Sequence, residues 1–269
     1  MIKKIIYCLF FYCSLESATL HRYQEELSES VQPKRFRVFE QEQIKISGSA
    51  QPSLTNLSFF SQDTYSGRVL LIDLRREFHG FYEGKPISWT LGFDPCSQDS
   101  FQYNLGISKE LLENQEEKFL TEQQVQSERE LILNSNIPIE YIRIPVTNHH
   151  HPDEKDIDYF IKLIKNLSSS DWVHFHCAKG KGRTTTFMCM TDMIYHSHLF
   201  SVEEILQRQY AIGGVNLADL KDPPSIKRFA FLRLFHQYCL ESRKSPENWS
   251  SWIQKQAIAD LNNLYIGFL

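Results

Sequence analysis

The sequence lacks several features that would point to a nucleic-acid-binding, membrane-spanning or zinc-binding protein. Its 269 residues carry 29 Lys and Arg against 33 Asp and Glu, so the surface as a whole offers no basic face to nucleic acid. Beyond the first residues, no stretch is apolar enough to cross a membrane. None of the six cysteines stands in a C-x-x-C pair, which argues against a zinc site built on such pairs. Cys189 and Cys239 fall in apolar helical patterns, where we expect them to be buried.

The N-terminus reads as a secretory signal peptide over residues 1–18. Lys3 and Lys4 supply a positive start, and the apolar stretch 5–15 is too short to span a bilayer well. Glu16 stands where a small residue is preferred before the cleavage site, so an apolar first element of the domain is the alternative. The prediction is that the protein is secreted or periplasmic.

Behind this leader, the pattern predicts one α/β domain over residues 19–269, with a central, mostly parallel sheet flanked by helices. Short apolar runs bounded by turn residues or charges indicate buried strands, and apolar residues at helical spacing indicate helices that alternate with them. The strand predictions are 68–74, 139–146 and 172–176. The helix predictions are 156–166, 184–195, 201–210, 224–243 and 248–262, with one or two acidic amphipathic helices within 109–133. Residues 47–51 read as a turn.

One segment carries the chemistry. Cys177 and Arg183 are separated by five residues and lie between a predicted strand and a predicted helix. This spacing lets the backbone curl so that its N–H groups point at one anion, with the positive end of the following helix dipole at the same place. Gly180 and Gly182 permit the backbone angles that such a loop requires. The predicted phosphate-binding residues of the loop are Ala178, Lys179, Gly180, Lys181 and Gly182.

Three side chains of this loop predict cysteine-dependent phosphate chemistry. In these surroundings the pKa of Cys177 should be lowered, which makes its thiolate a nucleophile near neutral pH. Arg183 offers a planar fork to two phosphate oxygens, and the Thr184 hydroxyl can stabilise the thiolate. Neither a Walker A loop nor a complete dinucleotide-binding glycine pattern fits the segment.

The motif His-Cys-x-x-Gly-x-Gly-Arg-Thr at 176–184 resembles the signature of protein-tyrosine-phosphatase-like enzymes, in particular the bacterial inositol polyphosphatases known as cysteine phytases. The similarity extends over about 33–255 through the segments 47–51, 73–75, 79–80, 143–147, 172–176, 208–209 and 212–214. The resemblance implies a phosphatase core and hydrolysis of phosphomonoesters through a phospho-cysteine, with no metal or other cofactor. It also implies that Arg37 and His149 bind further phosphates, with Lys227, Lys221 and Arg228 as weaker candidates.

The sequence departs from the family at the position that should protonate the leaving group. The family has aspartate followed by histidine after Thr147, but here Asn148 precedes His149. An amide donates no titrating proton, and loss of a general acid costs about 10²–10⁴-fold in rate. Asp153 is the nearest carboxylate and our predicted substitute; Asp156, one of the histidines 149–151, or a protonated phosphate of the substrate are the alternatives. A weakly active or purely phosphate-binding protein is the remaining reading.

Lysines in the loop bear on the substrate. Lys179 and Lys181 add two ammonium groups beside one thiolate, which suits a ligand with several phosphates better than a single phosphotyrosine. Soluble inositol polyphosphate is the predicted substrate, with phosphoinositide lipid and phosphoprotein as alternatives. The three histidines 149–151 cannot all turn to one ion, because consecutive extended residues point in alternating directions; a positive lip for phosphate is the preferred reading.

Overall fold

A computed structural model of the chain describes residues 20–24, 30–41, 43–61, 67–77, 79–82, 84–90, 119–120, 126–135, 137–221 and 223–266. The predicted signal peptide lies outside these residues, so it stays a prediction, as does a single domain over 19–269. Within the described part of the chain, no helix combines the length and apolar character needed to cross a membrane.

A five-stranded sheet forms the centre of the fold. Its strands are β2 (Arg37–Gln41), β3 (Ile44–Ala50), β4 (Val69–Arg75), β8 (Ile139–Val146) and β9 (Trp172–Cys177), in the order β2-β3-β9-β4-β8. Only the β2–β3 hairpin is antiparallel. Since the four parallel strands share one direction, their carboxyl ends meet at one edge. There Ala50 pairs with Cys177, and Asp73 pairs with His176.

A second sheet is antiparallel and smaller. It contains β1 (Leu20–Gln24), β5 (His79–Tyr82), β6 (Lys85–Thr90) and β7 (Phe119–Leu120), in the order β5-β6-β1-β7. The sequence did not predict these short strands, which carry weak alternation. Their position matters because β5 follows β4 after only three residues and brings its first residue, His79, beside the central sheet.

Helices follow the strands as the apolar pattern predicted. They are α1 (Leu54–Leu57), α2 (Glu128–Asn134), α3 (Glu154–Lys165), α4 (Gly182–His196), α5 (Val202–Ala211), α6 (Pro223–Ser242) and α7 (Trp249–Ile266), with a 3₁₀ turn at Ser58–Ser61. The three predicted strands and the five helices predicted after residue 150 are confirmed. Within 109–133 the described residues form β7 and most of α2. The predicted acidic helices are therefore confirmed only for α2.

The prediction of a turn at 47–51 is wrong. Ser47 and Ser49 lie in β3 and are fully buried. Each hydroxyl lies 2.8 Å from a different ring nitrogen of His174 on the neighbouring strand β9, so both serines have a hydrogen-bond partner in the interior. A buried hydroxyl with a hydrogen-bond partner costs little, so serines fit a central strand here. The Ser-Gly-Ser composition, which is typical of turns, concealed that partner.

Apolar side chains fill both faces of the central sheet. On one face Phe160 of α3, Phe175 of β9 and Phe187 of α4 meet with ring centroids 4.9–6.1 Å apart. Cys189 and Cys239 are buried on that side, as predicted. The smaller cluster on the other face packs α1, α2 and the 3₁₀ turn. The carboxyl edge of the sheet is thereby held between two cores.

Candidate active site

The loop between β9 and α4 lies at the carboxyl edge of the central sheet. It begins at Cys177, the last residue of β9, and runs into α4 at Gly182. Gly180 has φ +64, and a Cβ there would lie 2.3 Å from the Ala50 backbone nitrogen. The loop therefore packs against the end of β3 in a conformation that only glycine adopts without strain.

Cys177 is buried, yet its surroundings favour the thiolate. The Thr184 hydroxyl donates a hydrogen bond to Sγ at 3.1 Å. Burial opposes ionisation, but the charge of Arg183, that hydroxyl and the backbone N–H groups of Thr184 and Lys181 outweigh it and hold the pKa of Cys177 below its ordinary value. This is the electrostatic environment of a nucleophilic cysteine.

Arg183 is held in one orientation by a carboxylate. Its Nη1 donates to Glu77 Oε2 at 2.6 Å and its Nη2 to Glu77 Oε1 at 2.7 Å, while Nη1 also donates to the Val146 carbonyl at 3.0 Å. Burial disfavours the guanidinium charge, but the Glu77 charge keeps the pKa of Arg183 above its usual value. A bidentate pair of this kind fixes the plane of the guanidinium relative to the loop.

Glu77 serves a second arginine. Arg75 Nε donates to Glu77 Oε1 at 2.9 Å, and its other nitrogens donate to Gln51 and Ser88. Burial opposes ionisation of Glu77, but Arg183 and Arg75 hold its pKa well below the usual range. Sequence reasoning missed Glu77, since a carboxylate 106 residues before its partner leaves no local signal.

Arg37 lies beneath the loop. Its Nη1 donates to the Gly180 carbonyl at 3.0 Å and its Nη2 to Thr185 Oγ1 at 3.1 Å. Burial lowers the pKa of Arg37 to about 10, although the nearby Cys177 thiolate favours its charge. These bonds give Arg37 a positioning role in the loop, and the phosphate contact expected from the resemblance stays a prediction.

The lysines near the loop are exposed, whereas one arginine beside it is buried. Lys179 and Lys181 are exposed, as is Lys227 on α6. Arg228 is buried, and a Cβ on Gly182 would lie 2.8 Å from its Nη1, so the missing side chain of Gly182 leaves room for this guanidinium. The contact role predicted for Lys227 stays a prediction, while Arg228 is the α6 cation that reaches the loop.

The segment after β8 adjoins Arg183 through the Val146 carbonyl. Asn148 is half-buried in a turn closed by a bond from the His150 N–H to the Thr147 carbonyl at 3.0 Å. His149 is exposed with φ 64, and the His151 ring stacks on Phe231 with centroids 5.0 Å apart. Residues 148–150 therefore form a turn rather than the extended segment that the sequence suggested, and the absence of a metal at the three histidines stays a prediction.

Asp153 lies at the start of α3 beside an arginine. It is the N-cap residue of α3 and forms an ion pair with Arg76, which also donates to the Thr147 hydroxyl at 3.1 Å. Burial raises the pKa of Asp156, whose Oδ2 lacks a hydrogen-bond partner. The catalytic role of Asp153 stays a prediction.

The chain is similar in sequence to a known family and to several bacterial proteins. A family model described as "PTPlike_phytase: Inositol hexakisphosphate" matches residues 99–195, which include the Cys177 loop. The effector protein hopD2 of Pseudomonas syringae pv. tomato is 27% identical over 227 residues, covering 71% of this chain and 47% of its own length. The uncharacterized protein AvrBs1.1 of Xanthomonas campestris pv. campestris is 30% identical over 102 residues, 35% of this chain and 98% of that protein.

Solved structures show the same fold. A PTP-like phytase from Bdellovibrio bacteriovorus is 26% identical with a TM-score of 0.65, covering 88% of this chain and 96% of that one. The PTP-like myo-inositol phosphatase from Mitsuokella multacida, in complex with myo-inositol-(1,3,4,5)-tetrakisphosphate, is 24% identical with a TM-score of 0.64, covering 86% of this chain and 49% of that one. The chain therefore spans about half the length of hopD2 and of the Mitsuokella protein. The predicted fold, a mostly parallel sheet flanked by helices in a phosphatase core, is confirmed.

Proposed function

We propose that this chain, which belongs to the family of protein-tyrosine-phosphatase-like phytases, is a phosphomonoesterase that uses Cys177 as its nucleophile and inositol polyphosphates as its substrates. The observation that carries the proposal is the Cys177 thiol with a hydroxyl donor 3.1 Å from Sγ, facing the charge of an arginine that Glu77 holds at 2.6 and 2.7 Å.

In the proposed reaction the thiolate of Cys177 attacks phosphorus, and the bond from phosphorus to the inositol oxygen breaks as the S–P bond forms. The leaving alkoxide takes up one proton from an acid, for which Asp153 and a protonated neighbouring phosphate of the substrate are the candidates, and the water of the second step returns a proton to that group. Arg183 and the loop N–H groups hold the other phosphate oxygens through the transition state. Water then attacks the phospho-cysteine, orthophosphate leaves, and the thiolate returns with the Thr184 hydroxyl as its donor.

Inositol polyphosphate fits the charges around the loop. Lys179 and Lys181 are exposed on the loop itself, and Arg228 is buried against Gly182. One phosphate in the loop contacts Arg183 and the N–H groups, so the exposed ammonium groups of Lys179 and Lys181 can interact with neighbouring phosphates of the same molecule. The Mitsuokella relative binds an inositol tetrakisphosphate, which supports the same substrate class here.

A substrate panel tests the proposal. The purified chain is expected to release orthophosphate from inositol hexakisphosphate with a higher kcat/KM than from a phosphotyrosine peptide or from phosphoinositide vesicles. Released orthophosphate, measured over the first turnovers, gives each value. A preference for the peptide would instead make the protein a phosphotyrosine phosphatase, and a preference for vesicles a lipid phosphatase.

The proposal includes export. Residues 1–18 read as a signal peptide, and residues 19–269 as one phosphatase domain in a secreted or periplasmic protein. One relative carries the name of an effector protein, which supports action outside the producing cell.

Glu77→Gln is expected to weaken both catalysis and folding. Glutamine keeps the shape of Glu77 but leaves Arg75 and Arg183 as buried cations without their shared counter-charge. We expect kcat to fall about 10–100-fold, because Arg183 loses its fixed plane, and the free energy of unfolding to fall by about 3–5 kcal/mol. Steady-state kinetics and urea unfolding measure the two effects. Glu130→Gln, an exposed carboxylate on α2, is the control; an unchanged kcat in Glu77→Gln would remove Glu77 from the catalytic arrangement.

A further inference from the structure

Four buried ligand-type side chains meet behind the Cys177 loop. Asp73 on β4 and His176 on β9 are neighbours in the sheet register, His79 begins β5, and Glu128 begins α2. None is more than 7% exposed. His176 and Cys177 are consecutive in a strand and so point to opposite faces, which places the cluster away from the phosphate site.

Their ligand atoms converge. His79 Nε2 lies 3.0 Å from Asp73 Oδ2 and 3.6 Å from Glu128 Oε2, and His176 Nε2 lies 3.3 Å from Glu128 Oε1. One ligand atom from each of Asp73, Glu128 and His176 lies within 4.8 Å of the others. Ligand atoms about 2.0–2.1 Å from a tetrahedral ion lie about 3.3–3.4 Å from one another. The three measured distances from the histidine nitrogens, 3.0, 3.3 and 3.6 Å, bracket that value.

The imidazole of His79 has the orientation of a metal ligand. Its Nδ1 lies 2.8 Å from the Glu77 carbonyl oxygen and donates its proton there, so Nε2 faces Asp73 and Glu128. A histidine that binds a metal is usually oriented by such a bond from its other nitrogen. Asp73 is also held from outside the cluster, since Tyr141 donates to its Oδ2 at 2.9 Å.

Polar atoms aimed into the cluster lack hydrogen-bond partners. Glu128 Oε1 and both ring nitrogens of His176 are fully buried without a hydrogen bond. Buried polar atoms without a partner are uncommon and costly. An ion between Glu128 Oε1 and His176 Nε2 would satisfy these two atoms together, while Nδ1 on the other side of the ring would take no part.

One side of the cluster borders a cavity, which His79 and Glu128 line and Asp73 and His176 do not. An open cavity of about 560 Å³ is lined by His79, Glu128, Tyr141 and Arg143, among others. Two carboxylates there balance a divalent cation. Arg143 Nε lies 3.3 Å from Asp73 Oδ2 and also donates to the Arg75 carbonyl. Its side chain is 42% exposed, so solvent and that carbonyl weaken its repulsion of a cation.

We propose that Asp73, His79, Glu128 and His176 bind one Zn²⁺ ion that stabilises the fold behind the phosphate-binding loop. Two imidazole nitrogens and two carboxylate oxygens form a donor set that Zn²⁺ accepts in tetrahedral geometry. The ion ties β4, β5, β9 and α2 together and takes no part in phosphate transfer. The competing occupant is a proton on His79: burial opposes it, but the Asp73 charge raises the pKa of that ring to about 9.

Titration with zinc and cobalt tests the site. The full chain, stripped with a chelator and dialysed, is expected to bind one equivalent of Zn²⁺ by calorimetry, and Co²⁺ should give the intense visible bands of a four-coordinate ion. At a free Zn²⁺ concentration 100 times Kd, the unfolding equilibrium shifts about 100-fold, seen as a higher Tm. His176→Gln and Glu128→Gln should each weaken binding at least about tenfold.

His150→Gln, which alters the exposed three-histidine segment, is the matched control and should bind like the wild type. Circular dichroism verifies the fold of each variant, and Glu128→Gln decides if His176→Gln does not fold. Absence of one-equivalent binding, a six-coordinate Co²⁺ spectrum, or loss of binding in His150→Gln alone would each overturn the site; the first leaves the proton as the occupant. The wild-type binding and spectrum decide even if neither variant folds.

Discussion

Cys177→Ser is expected to lower phosphate release from inositol polyphosphate by at least about 10⁴-fold. The loop N–H groups, Arg183 and the Thr184 hydroxyl lower the pKa of a thiol, which is ordinarily about 8.5, enough to favour the thiolate, but they cannot ionise an alcohol. Serine therefore keeps the shape and the bound phosphate while losing the nucleophile. Initial rates of orthophosphate release in wild type and variant, with substrate in excess, give the ratio.

Two controls separate chemistry from folding in this experiment. Cys239→Ser places the same substitution in a buried position of α6, remote from the loop, and should keep wild-type kcat. Cys177→Ser itself should still bind inositol hexakisphosphate, because the donors that hold the phosphate are unchanged; calorimetry measures this. Equal turnover by Cys177→Ser and wild type would contradict a phospho-cysteine intermediate, and no turnover by either would make the protein a phosphate-binding module.

The catalytic loop could be predicted because its geometry is local. Nine consecutive residues contain the nucleophile, the glycines, the arginine and the hydroxyl donor, and their spacing alone fixes a strand, a turn and a helix N-terminus. The structure places Thr184 Oγ1 3.1 Å from Sγ and gives Gly180 a φ of +64, both as that spacing requires. Strands β4 and β9 could be predicted equally well, since each is a short buried run bounded by charges or turn residues.

The partners of the loop could not be predicted because they are distant in sequence. Glu77 orients Arg183 across 106 residues, and Arg37 reaches the Gly180 carbonyl across 143. Their meeting depends on the order in which β2, β4 and β9 join one sheet, which no local pattern encodes. Likewise, only the packing of α6 shows that Arg228 rather than Lys227 faces the loop, although the two residues are adjacent.

Asn148→Asp is expected to raise the rate of phosphate release from inositol phosphates about 10²–10⁴-fold. Asn148 stands two residues beyond Val146, whose carbonyl accepts a hydrogen bond from Arg183 at 3.0 Å, so its side chain is on the segment that adjoins the phosphate. An aspartic acid there can protonate the departing inositol oxygen, which is a poor leaving group as an alkoxide. Asp153 already neutralises Arg76, which leaves it less suited to the task.

The choice of leaving group makes this prediction specific. An aryl phosphate departs without protonation, so Asn148→Asp should leave its hydrolysis nearly unchanged while the inositol phosphates accelerate. The gain should also decline as the pH rises through the pKa of the new carboxyl group, because the acid then loses its proton. Asn166→Asp, at the exposed end of α3, adds the same charge elsewhere and should change neither rate.

If Asn148→Asp accelerates a simple alkyl monophosphate but not inositol hexakisphosphate, a neighbouring substrate phosphate already supplies the proton. The substitution of asparagine for aspartate would then be compatible with full activity on polyphosphates, because the acid is part of the substrate.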